Sequence, residues 1–201
     1  PLVVADPDFG VLGAPLPGRV RGGAGVVDMT RVRFSPLANT KTEALAVAKA
    51  LPDARLLLSA EATEGAVKAV KGPRILHLAT HGFFLPEPRE PERPNDLRPQ
   101  AVAASLQQKS PLLRAGIALA GANLRQSGQD DGILTALEVS ALDLDGTRLV
   151  VLSACETGLG DAVSGEGVYG MRRALVMAGA ETQVMSLWEV DSAATRQLMT
   201  A

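Results

Sequence analysis

The sequence predicts an α/β fold, a three-layer sandwich in which a mostly parallel sheet carries helices on both faces. Short apolar runs alternate with helical patterns along the first part of the chain, and such alternation is typical of parallel strands joined by right-handed crossovers. Two of the runs, Ile75–Thr80 and Leu149–Leu152, are almost uniformly apolar. This pattern is expected of strands that are buried on both faces of a sheet.

Five short apolar runs are predicted to form the core sheet. Each is bounded by turn residues, as strands of globular domains usually are. We expect the five strands to lie in the spatial order 2-1-3-4-5, counted along the chain, with the third and fourth adjacent and parallel. The runs are Leu2–Ala5, Arg55–Leu58, Ile75–Thr80, Leu149–Leu152 and Thr182–Trp188.

Capping signals predict where the helices begin. Thr40 with Glu43, and Thr135 with Glu138, each fit a capping box, in which two side chains satisfy free N–H groups at the start of a helix. Gly179 is a natural helix stop, because glycine adopts the left-handed conformation that often ends a helix. The other predicted helix starts are Thr63, Ser164 and Asp191.

Three stretches interrupt the alternation of strands and helices. Residues Asp8–Pro36 are rich in Gly, Pro and Arg and are predicted to form a loop with no assigned function. Pro86–Pro99 holds five prolines, which exclude a helix or a central strand. It predicts an exposed mobile loop after the third strand, with an insertion of no role as the alternative. Pro111–Ala122 favours a hairpin or short edge strands.

Composition excludes several classes of function. The chain has 20 Lys and Arg against 22 Asp and Glu, a net charge of −2, so no overall attraction to nucleic acid or an anionic membrane is expected. Aromatic residues make up only 3% of the chain, too few for base-stacking platforms. No apolar run approaches the roughly 20 residues of a membrane span, and no signal-peptide pattern begins the chain. We therefore expect a cytoplasmic protein.

The length of 201 residues suits a single domain. The chain starts at Pro1 rather than at methionine, which indicates a fragment or a trimmed chain. The last predicted helix is still open at Ala201. We therefore expect one domain, residues 1–201, that natively continues further.

Candidate chemistry lies at the carboxyl ends of strands three and four, where functional groups of parallel sheets gather. His81 and Gly82 follow strand three, and Cys155, the only cysteine, follows strand four. If the two strands are neighbours, His81 and Cys155 meet as a base and a nucleophile. The alternative is that Cys155 is only a small buried apolar side chain.

Metal and phosphate sites are not expected. The two histidines, His77 and His81, lie four residues apart on a predicted strand, or roughly 13 Å, and one cysteine adds too few ligands for zinc. We predict no metal and no cofactor, with His77 as a packed core histidine. The glycine-rich Gly160–Gly167 lacks the Lys-Ser/Thr pair of a phosphate-binding loop.

Four segments together resemble the CHAT domain family, caspase-like modules commonly found beside tetratricopeptide repeats. The resemblance covers almost the whole chain and implies the caspase-haemoglobinase fold shared by caspases, separase, gingipains and clostripain. The segments are HLATHG at 77–82, LVVLSACETGLG at 149–160, GEGVYGMRRALVMAGA at 165–180 and SLWEVD at 186–191.

The resemblance implies a cysteine endopeptidase with His81 as base and Cys155 as nucleophile. The backbone N–H groups of Gly82 and Cys155 would form the oxyanion hole. No third side chain that orients His81 is evident, and a backbone carbonyl could do so. The implied substrate is a protein or peptide, and the implied regulator is a repeat-containing region or partner protein. A catalytically idle caspase-like scaffold is the alternative.

The segment SLWEVD suggests which substrates are cleaved. It follows strand five, which is expected to neighbour strand four, so Glu189 and Asp191 would lie beside Cys155. A carboxylate there would attract Arg or Lys of a substrate, and the segment is also similar to the acidic LWDV-type segment of separase. We predict cleavage after Arg or Lys, with Asp191 as the main substrate-binding residue and Glu189 as the second. Capping of the last helix by Asp191 is the alternative.

Overall fold

The chain forms a mixed α/β structure with two sheets. The structure is a computed structural model, and it describes residues 1–11, 32–85, 110–153, 155–156, 166–186 and 192–200. The strands are β1 (Leu2–Pro7), β2 (Arg55–Ser59), β3 (Ile75–Ala79), β4 (His81–Phe84), β5 (Ala115–Ala118), β6 (Ile133–Thr135), β7 (Leu149–Leu152), β8 (Cys155–Glu156) and β9 (Gln183–Met185). The helices are α1 (Thr40–Ala50), α2 (Glu64–Lys68), α3 (Pro111–Arg114), α4 (Ala136–Val139), α5 (Glu166–Met177) and α6 (Ser192–Thr200).

The main sheet has five parallel strands in the order β2-β1-β3-β7-β9. The predicted α/β class is confirmed, and each of the five predicted strands has its predicted neighbours. Counted over all strands, the order differs from 2-1-3-4-5, because strands of a second sheet lie between β3 and β9 in the chain.

Apolar side chains cover both faces of the main sheet. Since side chains alternate along a strand, Val4 and Leu78 pack in the cluster shared with α2, α4 and α5. Val3 and Ala79 pack on the opposite face, where Ala44 of α1 covers them. Helix α6 lies against α1 on this second face. The helices therefore flank the sheet on both sides, as predicted.

The second sheet has four strands in the order β6-β5-β4-β8. Strand β4 is antiparallel to β5 and parallel to β8. The strands are only two to four residues long, too short for a hydrophobic period to be read. The prediction of a hairpin or edge strands for Pro111–Ala122 is wrong, because Pro111 opens the helical turn α3 and β5 lies between two other strands.

The predicted cap of α1 is wrong, and the reason is a tertiary contact. Asn39 is the N-cap, without a side-chain capping bond, and Thr40 is the first helical residue. Glu43 is not available to the helix start, because its Oε1 lies 2.9 Å from Nε2 of His77 in β3. Both side chains are buried. His77 is thus a core histidine, as predicted, and its partner fastens α1 to the sheet.

The other predicted helix signals are found where the structure describes them. The Thr135 hydroxyl accepts from the Glu138 N–H, and the Glu138 carboxylate accepts from the Thr135 N–H at 2.9 Å, a complete capping box. The Thr63 hydroxyl caps α2 through the Ala66 N–H at 3.2 Å. Gly179 has a φ of +104° and ends α5. The predicted starts Ser164 and Asp191 lie outside the described residues.

One lysine joins three carboxylates beneath the second sheet. The Nζ of Lys68 lies 2.6 Å from Glu64, 2.9 Å from Asp130 and 2.9 Å from Glu138. The Glu64 side chain is only 2% exposed, and its other oxygen accepts from the N–H of Gly132 at 2.8 Å. Burial raises the pKa of Glu64, even though Lys68 opposes this. The cluster therefore ties α2, the loop before β6 and α4 together.

Lys68→Met is expected to lower the free energy of unfolding by about 3 kcal/mol, because it leaves the buried Glu64 carboxylate without its positively charged partner. Chemical denaturation measures this loss. The control is Lys71→Met, since Lys71 is 79% exposed and 3.6 Å from Asp143, and such surface pairs contribute at most about 1 kcal/mol. Equal losses in the two variants would contradict the prediction.

Candidate active site

The candidate site lies where two neighbouring strands of the main sheet, β3 and β7, lead into strands of the second sheet. Leu78 of β3 pairs with Leu152 of β7 in parallel register. The Ser153 N–H donates to the Leu78 carbonyl at 2.9 Å, so the strands remain joined past the end of β7. His81 then opens β4, and Cys155 opens β8.

His81 and Cys155 are direct backbone partners. Their Cα atoms are opposite each other in the parallel pairing of β4 with β8, and Gly82 is opposite Glu156. Neighbouring strands lie about 4.8 Å apart. The prediction that adjacent parallel strands bring these two residues to one edge is therefore confirmed for the backbone. Their catalytic roles remain a prediction.

The ring of His81 is held by a backbone carbonyl. Its Nε2 lies 2.7 Å from the carbonyl oxygen of Ser35. A carbonyl can only accept, so the hydrogen is on Nε2 and the lone pair of the neutral ring is on Nδ1. Nδ1 is buried and has no hydrogen-bond partner in the described part of the chain. The Ser35 carbonyl is the orienting group that no side-chain pattern indicated.

Phenylalanine rings surround His81. The centroid of its ring lies 5.3 Å from that of Phe9 and 5.8 Å from that of Phe34, and Phe34 in turn contacts Phe83 at 6.2 Å. The side chain of His81 is only 6% exposed. Burial lowers the pKa of His81, and the hydrogen bond to Ser35 opposes this shift only in part. The ring is therefore neutral near neutral pH, with its lone pair on Nδ1.

The family profile described as the CHAT domain matches residues 1–201, the whole chain. The chain belongs to the CHAT domain family. This family lies within the caspase-like peptidase superfamily, and its members are generally associated with tetratricopeptide repeats. No curated protein matches the chain.

The residues that surround His81 in this CHAT domain come from a stretch for which the sequence predicts no function. Phe9, Phe34 and Ser35 all belong to Asp8–Pro36, where the sequence predicts only a loop. The one signal in the sequence is that two of the chain's four phenylalanines stand in this Gly- and Pro-rich stretch. Isolated aromatic residues in such a stretch are typical of a loop that packs onto a core.

Several predicted features of the CHAT domain lie outside the described residues. They include the predicted substrate-binding residues Glu189 and Asp191, the loop predicted at Pro86–Pro99 and most of the glycine-rich Gly160–Gly167. Gly82, the other residue predicted for the oxyanion hole, is described. It lies in β4 between Ile117 of β5 and Glu156 of β8.

The described ranges show no group of three or more His, Cys, Asp or Glu side chains arranged to hold a metal ion. His77 and His81 have separate partners, the carboxylate of Glu43 and the carbonyl of Ser35. Of the helices that the structure describes, none combines the length and apolar character needed to cross a membrane.

Protonation of the buried His81 ring is expected to lower the free energy of unfolding of the CHAT domain as the pH falls. Its folded-state pKa lies below the ordinary 6.5, so the stabilising contribution of the neutral ring is fully present above about pH 6.5 and is lost as the pH falls through the lower folded value. Denaturant unfolding of the protein and of His81→Gln over a series of pH values measures the difference. A difference that stays constant on acidification would contradict the prediction.

Proposed function

We propose that this CHAT domain is a cysteine endopeptidase in which His81 and Cys155 form the catalytic dyad. One observation carries the proposal, the direct backbone pairing of His81 with Cys155 across β4 and β8. A cysteine nucleophile needs a base close enough to take its proton. Membership of the caspase-like superfamily supports the same chemistry.

The proposed reaction is acyl transfer. Nδ1 of His81 takes the proton of the Cys155 thiol, and the thiolate attacks the carbonyl carbon of the scissile peptide bond. The protonated His81 then gives its proton to the leaving amine as the C–N bond breaks. Water, activated by the same Nδ1, hydrolyses the thioester and frees the thiol. N–H groups of Gly82 and Cys155 would stabilise the oxyanion, a contribution of about 3 kcal/mol.

The surroundings of His81 suit this role. The lowered pKa keeps the ring neutral, and therefore able to accept a proton, at neutral pH. When the ring becomes positively charged during the reaction, the Ser35 carbonyl 2.7 Å from Nε2 stabilises it through a charge-assisted hydrogen bond. The same hydrogen bond fixes the hydrogen on Nε2 and so leaves the lone pair on Nδ1, the atom that is proposed to accept the proton.

A catalytically idle caspase-like scaffold is the second candidate. The observation that favours it is the burial of His81, whose ring is packed between Phe9 and Phe34. A scaffold would keep such a ring as part of its core. The two candidates differ in the reactivity of the thiol of Cys155, because only a peptidase needs an activated thiolate.

Labelling with a peptidyl acyloxymethyl ketone distinguishes the candidates. With one cysteine in the chain, any thiol adduct is assigned by the protein mass alone. We expect labelling of the native protein, none of Cys155→Ala, and a fall of at least about 100-fold in peptide cleavage for His81→Ala. Alkylation of the denatured chain is the control for an intact thiol. Native labelling no faster than that of the denatured chain would favour the scaffold, and cleavage by Cys155→Ala would exclude the thiol mechanism.

We further propose cleavage after Arg or Lys, with Asp191 and Glu189 as the substrate-binding carboxylates. The placement of β9 supports this, because Met185 pairs with Leu152, three residues before Cys155. The segment with both acids follows β9 directly in the sequence, which supports its proposed place near the candidate nucleophile. A repeat-containing region or partner protein is the proposed regulator, in keeping with the family's general association.

Asp191→Ala is expected to lower kcat/KM for arginine substrates about 10- to 100-fold, because one charge-assisted hydrogen bond contributes about 1.5–3 kcal/mol. Alkylation of Cys155 by iodoacetamide should change far less. Glu181→Ala is the matched control, since Glu181 is exposed and precedes β9 at its other end. Cleavage only after Asp or apolar residues in a substrate screen would refute this preference.

A further inference from the structure

Asn123, in the turn that follows β5, makes three hydrogen bonds from its side chain to distant backbone groups. Its Oδ1 accepts from the N–H of Phe34 at 2.8 Å. Its Nδ2 donates to the carbonyl of Phe34 at 2.9 Å and to the carbonyl of Gly10 at 3.1 Å. Asn123 is 9% exposed. A buried amide with both donors and its acceptor occupied is a fixed connection.

The two segments that Asn123 joins are those that surround His81. Gly10 follows Phe9, whose ring packs on His81, and the N–H of Asn123 donates to the Phe9 carbonyl at 2.8 Å. Phe34 also packs on His81, and the next residue, Ser35, supplies the carbonyl that binds Nε2. Asn123 lies 89 residues from Phe34 and 113 from Gly10. It therefore joins two parts of the chain that are distant in the sequence, beside the contact between the rings of Phe9 and Phe34 at 5.8 Å.

The stretch around Phe34 needs such a connection. Residues 32–37 belong to no helix or strand, so no sheet ladder determines where their carbonyls point. Asn123 occupies both the N–H and the C=O of Phe34, and this holds the peptide unit that leads into Ser35. A displacement of about 1 Å in a positioning group can reduce a rate about 100-fold.

We propose that Asn123 is a positioning residue for His81, which it orients through the Phe34–Ser35 backbone. Held in this way, the Ser35 carbonyl keeps the hydrogen on Nε2 of His81 and leaves Nδ1 as the proton acceptor. Asn123 has no hydrogen bond to His81 and takes no part in bond making. The effect of Asn123 on catalysis rests on the proposed function. Its effect on the tautomer of His81 does not.

The state of the His81 ring is the primary readout. The chain has two histidines, so ¹⁵N–¹H correlation spectra of the imidazoles show two sets of signals, assigned with His77→Gln. In the native protein we expect His81 as the Nε2–H form. In Asn123→Ala the Ser35 carbonyl is released, and we expect a mixture of the two neutral forms and faster exchange of the ring N–H with water.

Two further variants separate positioning from a general loss of stability. Asn123→Asp has nearly the same volume and keeps an acceptor for the Phe34 N–H, but it lacks the amide donors to the two carbonyls. It is expected to change the His81 signals in the same direction as Asn123→Ala. Thr63→Ala removes the cap of α2, at the Ala66 N–H, and is expected to destabilise the protein while leaving the His81 signals as they are.

Kinetics give the second readout. If the protein is a peptidase, Asn123→Ala and Asn123→Asp should lower kcat about 10- to 100-fold with little change in KM, whereas Thr63→Ala should alter neither. The rate of Cys155 alkylation as a function of pH should shift in the Asn123 variants and not in Thr63→Ala. Absence of cleavage by the native protein would refute the proposed function and leave the spectroscopic test of Asn123 intact.

The deciding outcomes are specific. A folded Asn123→Ala whose His81 signals match those of the native protein would overturn the inference, as would equal changes in Thr63→Ala. A smaller fraction of the Nε2–H form in the Asn123 variants alone would support it. If Asn123→Ala does not fold, Asn123→Asp decides by the same criteria.

Discussion

The parallel pairing of β3 with β7 is the constraint on which the candidate site depends. Leu78 and Leu152 are register partners, and each strand is followed within a few residues by a strand of the second sheet. Because the segments that follow β3 and β7 leave the main sheet side by side, His81 and Cys155 become register partners in β4 and β8. A shift of one residue in the first pairing would separate them and move alternate side chains to the other face.

That pairing places Cys155 but does not orient His81, and a second set of contacts does so. The Thr80 hydroxyl donates to the Ala118 carbonyl at 2.5 Å, which joins the start of β4 to β5. The ring then lies among phenylalanines, and its Nε2 is hydrogen-bonded to the Ser35 carbonyl. An apolar environment and one accepting carbonyl act in opposite directions on the pKa of His81, and burial dominates. The result is a neutral ring with a defined tautomer.

The parts of the fold that the sequence predicts are those determined by neighbours in the chain. Short, mainly apolar stretches identify the five core strands, and the cap at Thr63 and the capping box at Thr135 identify helix starts. The box at Thr40 fails because Glu43 has a stronger partner in His77. The second sheet was not predicted, since its strands are too short to show a period.

The candidate site follows the same division. His81 and Cys155 could be predicted, because each directly follows an apolar strand. Ser35 lies 46 residues from His81, and Asn123 acts on Phe34 across 89 residues. No local pattern relates positions so far apart, so these contacts required the structure. They also lie in irregular segments, where neither strand nor helix periodicity indicates which side chains face inward.

The HLATH segment shows why the spacing of two histidines does not by itself predict their environments. Residues four apart on an unbroken strand leave the sheet on the same face, so His77 and His81 would be expected in one environment. The strand is interrupted at Thr80, between β3 and β4. His77 consequently faces α1 and pairs with Glu43, whereas His81 turns into the phenylalanine cluster beside β8. One histidine therefore holds a helix to the sheet. The other has a nitrogen without a hydrogen-bond partner among the described residues, and an available nitrogen is what a general base requires.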